Sequence, residues 1–326
     1  FCLHRFLGSD TDDYTYEALK LFLLGAISRA FKPGCKFEVM LCLVGGQGAG
    51  KSSFFRLLAV NDDWFSDDLK KLDDENVYRK MQGHWIIEMS EMIATANAKS
   101  IEEIKSFLSR QKETYKIPYE THPADRKRQC VFGGSSNTLD FLPLDRTGNR
   151  RFVPVMVYPE RAEVHILADE QASREYINQM WAEAMEIYRS GNFRLRFSPA
   201  MNDYLKAHQK DFMPEDTKAG QILDYLERYS GSIVCSKQLY KEALGHDYDE
   251  PKQWELREIN DIMNNAVTGW MAFSNPRYFP EPYRRQKGWE RIRNDNEPDN
   301  SMDGFQEIPT EEMEQLGLPE EWLKQK

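Results

Sequence analysis

The chain has 326 residues, 40% of them hydrophobic and 29% charged, with a formal net charge of −10. That length holds one large domain or two smaller ones, and the composition is that of a globular protein rather than a disordered or fibrous one. No apolar run approaches the ~20 residues a membrane-spanning helix needs, and the start lacks a secretion-signal pattern, so no membrane partner is expected.

In chain order, residues 14–30 read as a helix with Leu19, Phe22, Leu23, Ala26 and Ile27 on one face, ended by Pro33 and Gly34. Residues 38–44 form a short apolar run suited to a buried strand. Gly45, Gly46, Gln47, Gly48, Ala49, Gly50, Lys51 and Ser52 follow at once and fit G-x-x-x-x-G-K-[ST], the phosphate-binding loop. Residues 51–59, which include Ser53, then carry apolar groups at helical spacing. Glycines let successive N–H groups point inward, and the helix N-terminus adds partial positive charge. Further strands are expected at 85–89, 129–132 and 151–157, with a helix through Leu108 opened by a capping box at Ser100. Helices at 169–188 and 201–210 extend this nucleotide-binding core.

Residues 213–216 read as a linker, after which the pattern becomes that of a small separate module. Helices are expected at 218–229, at 236–244 with Ser236 as cap and Gly245 as stop, and at 252–267 with Leu256, Ile259, Ile262, Met263 and Ala266 inward. Strands at 270–273 and 288–292 close it, and three helices followed by a two-stranded ribbon is the winged-helix order. The expected division is a helical lead-in over 1–36, an ATPase core over 37–212, a winged-helix-like α+β module over 215–292 and an acidic, disordered tail over 293–326.

The negative charge is uneven. Residues 293–326 hold ten acidic and three basic residues, whereas residues 110–151 hold nine basic and five acidic, so a DNA partner remains compatible with the balance. The five cysteines show no C-x-x-C spacing, and Cys42 and Cys130 fall in apolar runs, which points to a reducing, cytoplasmic setting. The six histidines show no metal or triad spacing, and the start at Phe1 rather than Met suggests a piece of a longer polypeptide.

Phosphoryl transfer to water requires Mg²⁺, a group to orient the water, and positive charge for the transition state. Lys51 would reach the β- and γ-phosphates of ATP and the Ser52 hydroxyl would hold Mg²⁺. Glu88, at the end of an apolar strand, and Glu91 would divide the metal and water-activating roles, in either order; solvated carboxylates at a strand end are the alternative. Asn137 is placed to contact the γ-phosphate or the water, or else supplies a turn. Arg146, Arg150 and Arg151 offer guanidiniums that stay charged when desolvated, and Arg150 and Arg151 abut a strand that would fix them; a salt-bridged loop is the alternative. Arg110, Lys112, Lys116 and Tyr119, then Arg126, Lys127 and Arg128, mix cations with aromatics as single-strand binders do, although a solvated hairpin fits equally. In the C-terminal module the long helix is not distinctly basic, whereas the ribbon carries Arg277, Arg284, Arg285, Lys287 and Arg291 and would supply phosphate contacts if the module binds DNA.

The order PGCKFEVMLCLVGGQGAGKS, HWIIEMSEM, KIPYE, RQCVFGGSSN, DRTGNRRFVPV strongly resembles the virulence-associated protein E (VapE) family of phage and mobile-element proteins, grouped with superfamily 3 helicases. The similarity covers roughly residues 1–200. It implies an α/β, P-loop AAA+-like core that assembles into a homo-hexameric ring or other homo-oligomer and hydrolyses ATP between subunits as it moves along single-stranded or forked DNA with other replication proteins. By position it assigns Lys51 and Ser52 to the first motif and Glu88 and Glu91 to the second. Lys116 and Tyr119 fall in a DNA-facing hairpin, Asn137 at the sensor, and Arg150 or Arg151 at a trans finger. Two departures stand out: Glu88 and Glu91 are not adjacent, and the sequence contains no primase part, which precedes the ATPase in some related proteins. The expected function is a DNA-dependent ATPase, a replicative helicase or initiator-helicase; the alternative is a nucleotide-gated DNA-binding regulator with little hydrolysis.

Overall fold

The computed structural model describes residues 1–69, 72, 77–91, 98–115, 122, 124–144 and 149–292. Lys116, Tyr119, Arg146 and the acidic tail at 293–326 lie outside the described residues. The chain divides into two compact units, Phe1–Thr217 and Lys218–Lys326.

The first unit is a mixed α/β layer structure around a parallel sheet. Its strands are β1 (Met40–Val44), β2 (Phe65–Ser66), β3 (Ile86–Ser90), β6 (Val131–Ser136) and β7 (Phe152–Met156), in the order β2-β3-β6-β1-β7. Between β3 and β6 the chain adds an antiparallel pair, β4 (Lys112–Tyr115) and β5 (Ala124–Lys127). Every residue of β1 is buried, because helices cover both faces. Alternation splits the run: Leu41 and Leu43 join one core cluster, whereas Met40, Cys42 and Val44 join the other. The first cluster receives α1 (Cys2–Leu7), α2 (Asp13–Phe31), α3 (Lys51–Leu58) and, after β7, α6 (Glu170–Ser190). The second receives α4 (Val77–Met81) and α5 (Ala98–Ser109). A continuous apolar run is therefore what a two-sided parallel strand requires.

Several boundaries differ from the sequence expectation. The third predicted strand, 129–132, begins later and runs through Gly133, Gly134, Ser135 and Ser136, which the pattern read as a loop. Gly133 makes this possible, because a Cβ there would stand 2.4 Å from the Phe55 ring of α3. The helix expected to open at Ser100 already begins at Ala98. Arg29 of α2 is buried and donates to the Cys130 carbonyl at 2.8 Å, tying the helix end to the start of β6. Burial pulls its pKa down to about 10.

The second unit begins with α8 (Thr217–Arg228), preceded in the first unit by α7 (Pro199–His208). It continues with β8 (Ile233–Cys235), α9 (Ser236–Gln238), α10 (Gln253–Asn265), β9 (Trp270–Ala272), β10 (Arg277–Phe279), β11 (Arg284–Gln286) and β12 (Gly288–Arg291). The expected two-stranded ribbon is instead a three-stranded antiparallel sheet, β8-β12-β9, with a separate β10–β11 hairpin inserted. The expected helix at 236–244 is one short turn followed by a π-helical turn at Leu239–Ala243. Cys235 occupies its N-cap position, while the Ser236 hydroxyl donates to Asn260 at 2.6 Å. Ile259, Ile262 and Met263 face the core as expected, but Ala266 is exposed where the helix ends.

Candidate active site

In a parallel sheet all strands end at the same edge, so residues far apart in sequence converge there. The loop after β1 carries residues 45–50, β3 carries Glu88 and leads into Glu91, and β6 leads into Asn137. The Gly45 N–H donates to the Ser136 carbonyl at 3.1 Å, which fastens the loop to β6. Gly50 caps α3 at φ 80°, a conformation costly for any residue with a Cβ. Gly46, Gln47 and Gly48 are exposed, Ala49 is buried, and Ser53 lies half-buried in the first turn of α3.

Lys51 is buried, its ammonium donating to the carbonyls of Gly45 (2.6 Å) and Gly46 (2.8 Å) and to Asn137 Oδ1 (2.9 Å). Burial lowers its pKa, and the charges of Glu91 and Glu88 partly oppose that shift. Glu88 has no exposed surface. Its Oε1 accepts from Ser52 Oγ at 2.8 Å and Ser135 Oγ at 2.6 Å, whereas its buried Oε2 has no partner. Glu91 adopts φ 52°, in the left-handed region that costs a non-glycine residue about 1 kcal/mol or more. Its N–H donates to the Ser135 carbonyl at 3.0 Å, and its Oε1 accepts from the Asn137 N–H at 2.8 Å. Lys51, Ser52, Glu88, Glu91 and Asn137 therefore form one bonded cluster. Ser135 belongs to it and was not singled out from sequence, because only the β3–β6 register brings it to Glu88.

An unpartnered carboxylate oxygen beside a serine hydroxyl is a hard-oxygen pair suited to Mg²⁺, which is held by one or two protein oxygens together with substrate phosphates. Among the described residues no group of three or more His, Cys, Asp or Glu side chains forms a self-contained metal cage.

Arg150 and Arg151 precede β7, and so lie at the opposite edge of the sheet from the glycine-rich loop, about one five-residue strand or 16 Å away. Arg150 pairs with Glu38 at 2.9 Å; Arg151 Nε donates to Ser109 Oγ at 3.0 Å and lies 3.4 Å from Glu38. Partial burial would raise the Glu38 pKa, but the Ser109 hydroxyl and the two guanidiniums outweigh it and hold the carboxyl below its usual range. Neither arginine reaches the loop of its own chain.

The basic segment is the β4–β5 hairpin, rooted at that same opposite edge. Lys112 is ion-paired across the hairpin with Asp125, whose carboxyl that bond and the Thr114 hydroxyl hold below its usual range. Lys127 is exposed and Arg126 half-buried, while Arg110 donates to the Tyr78 hydroxyl at 2.7 Å. Arg128 does not fit the expected DNA contact. Its side chain is fully buried, donating to the Phe107 carbonyl at 2.6 Å and to Glu113, over the rings of Phe107 and Phe132.

Two solved structures, both described as apo forms of the NrS-1 C-terminal region, align with 89% of this chain and 74% of theirs at 14% identity, with TM-scores of 0.45 and 0.47. No curated protein shows significant similarity. Among the described residues no helix is long and apolar enough to cross a membrane. The virulence-associated protein E-like domain matches residues 1–214, most of the chain, and the protein belongs to that family.

Proposed function

We propose that the first unit is a P-loop, AAA+-like ATPase core of the superfamily 3 helicase type. The protein then serves as a DNA-dependent ATPase, a replicative helicase or initiator-helicase of a phage or mobile element. One observation carries this reading: the phosphate loop, Ser52, the open Oε2 of Glu88, Glu91 and Asn137 meet at a single sheet edge. The family membership agrees with it.

Each residue then has a task. Lys51 exchanges two loop carbonyls for the β- and γ-phosphate oxygens of ATP, a charge-assisted replacement of weaker bonds. Ser52 and Glu88 would hold Mg²⁺, which when bound would neutralise negative charge on the triphosphate. Ser135 keeps Glu88 in place when the Ser52 hydroxyl turns toward the cation. Glu91, released from the Asn137 amide, orients and polarises the attacking water, and Asn137 reports on the γ-phosphate. The transition-state cation cannot come from Arg150 or Arg151 of the same chain, which favours a neighbouring copy and hence a homo-oligomer, a hexameric ring in the form the family resemblance implies. DNA would pass the β4–β5 hairpin, with Lys112, Arg126 and Lys127 in phosphate contact and Lys116 and Tyr119 in the same segment.

In the second unit the order α8-β8-α9-α10-β9-β12, with a three-stranded sheet and a hairpin before the last strand, supports a winged-helix module. A nucleotide-gated DNA-binding regulator with little hydrolysis is favoured by one feature only, the engagement of both arginines by Glu38. The deciding experiment measures ATP turnover with and without single-stranded DNA, alongside mass by light scattering with an ATP analogue. Stimulation with assembly supports the motor; nucleotide binding without turnover supports the regulator. Neither binding nor turnover rejects the site.

A further inference from the structure

The cations of the second unit sort into two groups once their partners are known. On the helices, Lys218 is bonded to Glu258 at 2.7 Å, and Lys237 and Lys241 share Glu250 at 3.0 and 3.1 Å. Three of the five ribbon cations are engaged internally as well. Arg291 donates to the carbonyls of Leu226 and Tyr229 at 2.9 and 2.6 Å, closing the end of α8. Arg277 pairs with Glu290 at 2.7 Å and lies 4.4 Å from the Phe273 ring centroid. Arg284 stands 3.3 Å from Glu281. Arg285 and Lys287 remain exposed, with no acidic partner among the described residues.

Register decides which way Arg285 points. In the β10–β11 hairpin Tyr278 is directly opposite Arg285, so the two side chains share a face, and Lys287 is the exposed residue between β11 and β12. Phe279, on the other face, is 1% exposed and packs with Phe273 and Cys235, whereas Tyr278 is 68% exposed. The outward face thus presents Arg285 beside an exposed aromatic ring, with a second exposed cation, Lys287, two residues on. The helix α10 has the opposite character: Arg257 is outnumbered by Glu255, Glu258 and Asp261, and phosphates would repel that surface.

We propose that the β10–β11 hairpin is the DNA-contacting element of the second unit. Arg285 and Lys287 take backbone phosphates, Tyr278 stacks on a base or sugar, and α10 stays out of the groove. This rests on the reading of the protein as one that acts on DNA.

The test is fluorescence anisotropy of the full chain with labelled single-stranded and duplex oligonucleotides over a salt series. The double variant Arg285→Gln/Lys287→Gln is expected to reduce the slope of log K against log salt by about 1.4–1.8, the loss of two phosphate contacts, on every sequence tried. Tyr278→Ala is expected to weaken binding about tenfold where a base is free to stack, so a loss confined to the single strand identifies that as the ligand. Arg257→Gln on α10 is expected to leave affinity and slope unchanged, and circular dichroism and thermal melts check that each variant is folded. An unchanged slope in the double variant, or lost affinity in Arg257→Gln, overturns the hairpin assignment. If Lys112→Gln/Lys127→Gln alone removes the salt dependence, DNA binding stands and the hairpin assignment falls. Wild type that binds neither oligonucleotide at any salt overturns both.

Discussion

The two edges of the central sheet handle charge in opposite ways. At the edge where β1, β3 and β6 end, polar groups converge on an open loop and are left incompletely satisfied: Glu88 Oε2 has no partner, Lys51 rests on loop carbonyls, and Glu91 holds a left-handed backbone. At the edge where β7 begins, four cations meet an acid: Arg150 and Arg151 meet Glu38, Lys112 meets Asp125, and Arg128 meets Glu113. Unsatisfied valence is expensive in a buried setting and persists where a ligand completes it. Paired charge is the ordinary condition of a folded surface. The contrast teaches that the first edge has polar valence left for a ligand to complete, the opening on which the proposed nucleotide site rests, whereas at the second edge the charges are largely compensated within the chain.

Four substitutions break or sharpen that contrast. The largest effect is expected at the second edge: if Arg151 serves a neighbouring copy, Arg151→Ala lowers turnover by about 10³-fold or more while sparing ATP binding. Mixing it with Glu91→Gln subunits then restores part of the rate, and a lack of rescue in a mixed assembly removes the trans assignment. At the first edge, Lys51→Ala is expected to cost about 10²–10³-fold in turnover through loss of the cation on the phosphates, and a near-normal steady-state rate would place hydrolysis elsewhere.

A smaller change isolates the hydroxyl that sequence did not flag. Ser135→Ala should raise the Mg²⁺ concentration needed for half-maximal nucleotide binding about tenfold, with Ser135→Thr restoring it. A Mg²⁺ titration that does not move would make Ser135 a packing residue. The smallest effect concerns Glu38. Its folded pKa is depressed, so its contribution to stability is present above the unfolded value and is lost as pH falls through the folded one. Glu38→Gln is therefore expected to lower stability by about 1 kcal/mol at neutral pH, with the difference from wild type vanishing as pH falls through the depressed folded value. Parallel denaturation curves that keep their offset at low pH would show that Glu38 acts through shape rather than charge.

How much of this was legible before folding depends on how local the cause is. The glycine-rich loop, β1 and α3 are contiguous, and their glycines and apolar period specify strand, turn and helix from neighbours in the chain. The full length of β6 is not legible locally, because Gly133 and Gly134 look like loop residues until Phe55 is seen to occupy the space above Gly133. Arg128 looked like a surface cation because the burying groups, Phe107 and Glu113, lie on a helix and a strand that sequence spacing does not bring to it.

By itself, then, the sequence determined β1, the glycine-rich loop and α3, and the acids Glu88 in β3 and Glu91 just after it, because each rests on side chains a few positions apart. Tertiary structure alone decided that Ser135 holds Glu88, that Arg150 and Arg151 sit a strand length from the loop, and that Tyr278 shares a face with Arg285. Those outcomes depend on strand register and on burial against distant residues. A one-residue slip in pairing would turn each such side chain to the other face, and nothing within a local window specifies that choice.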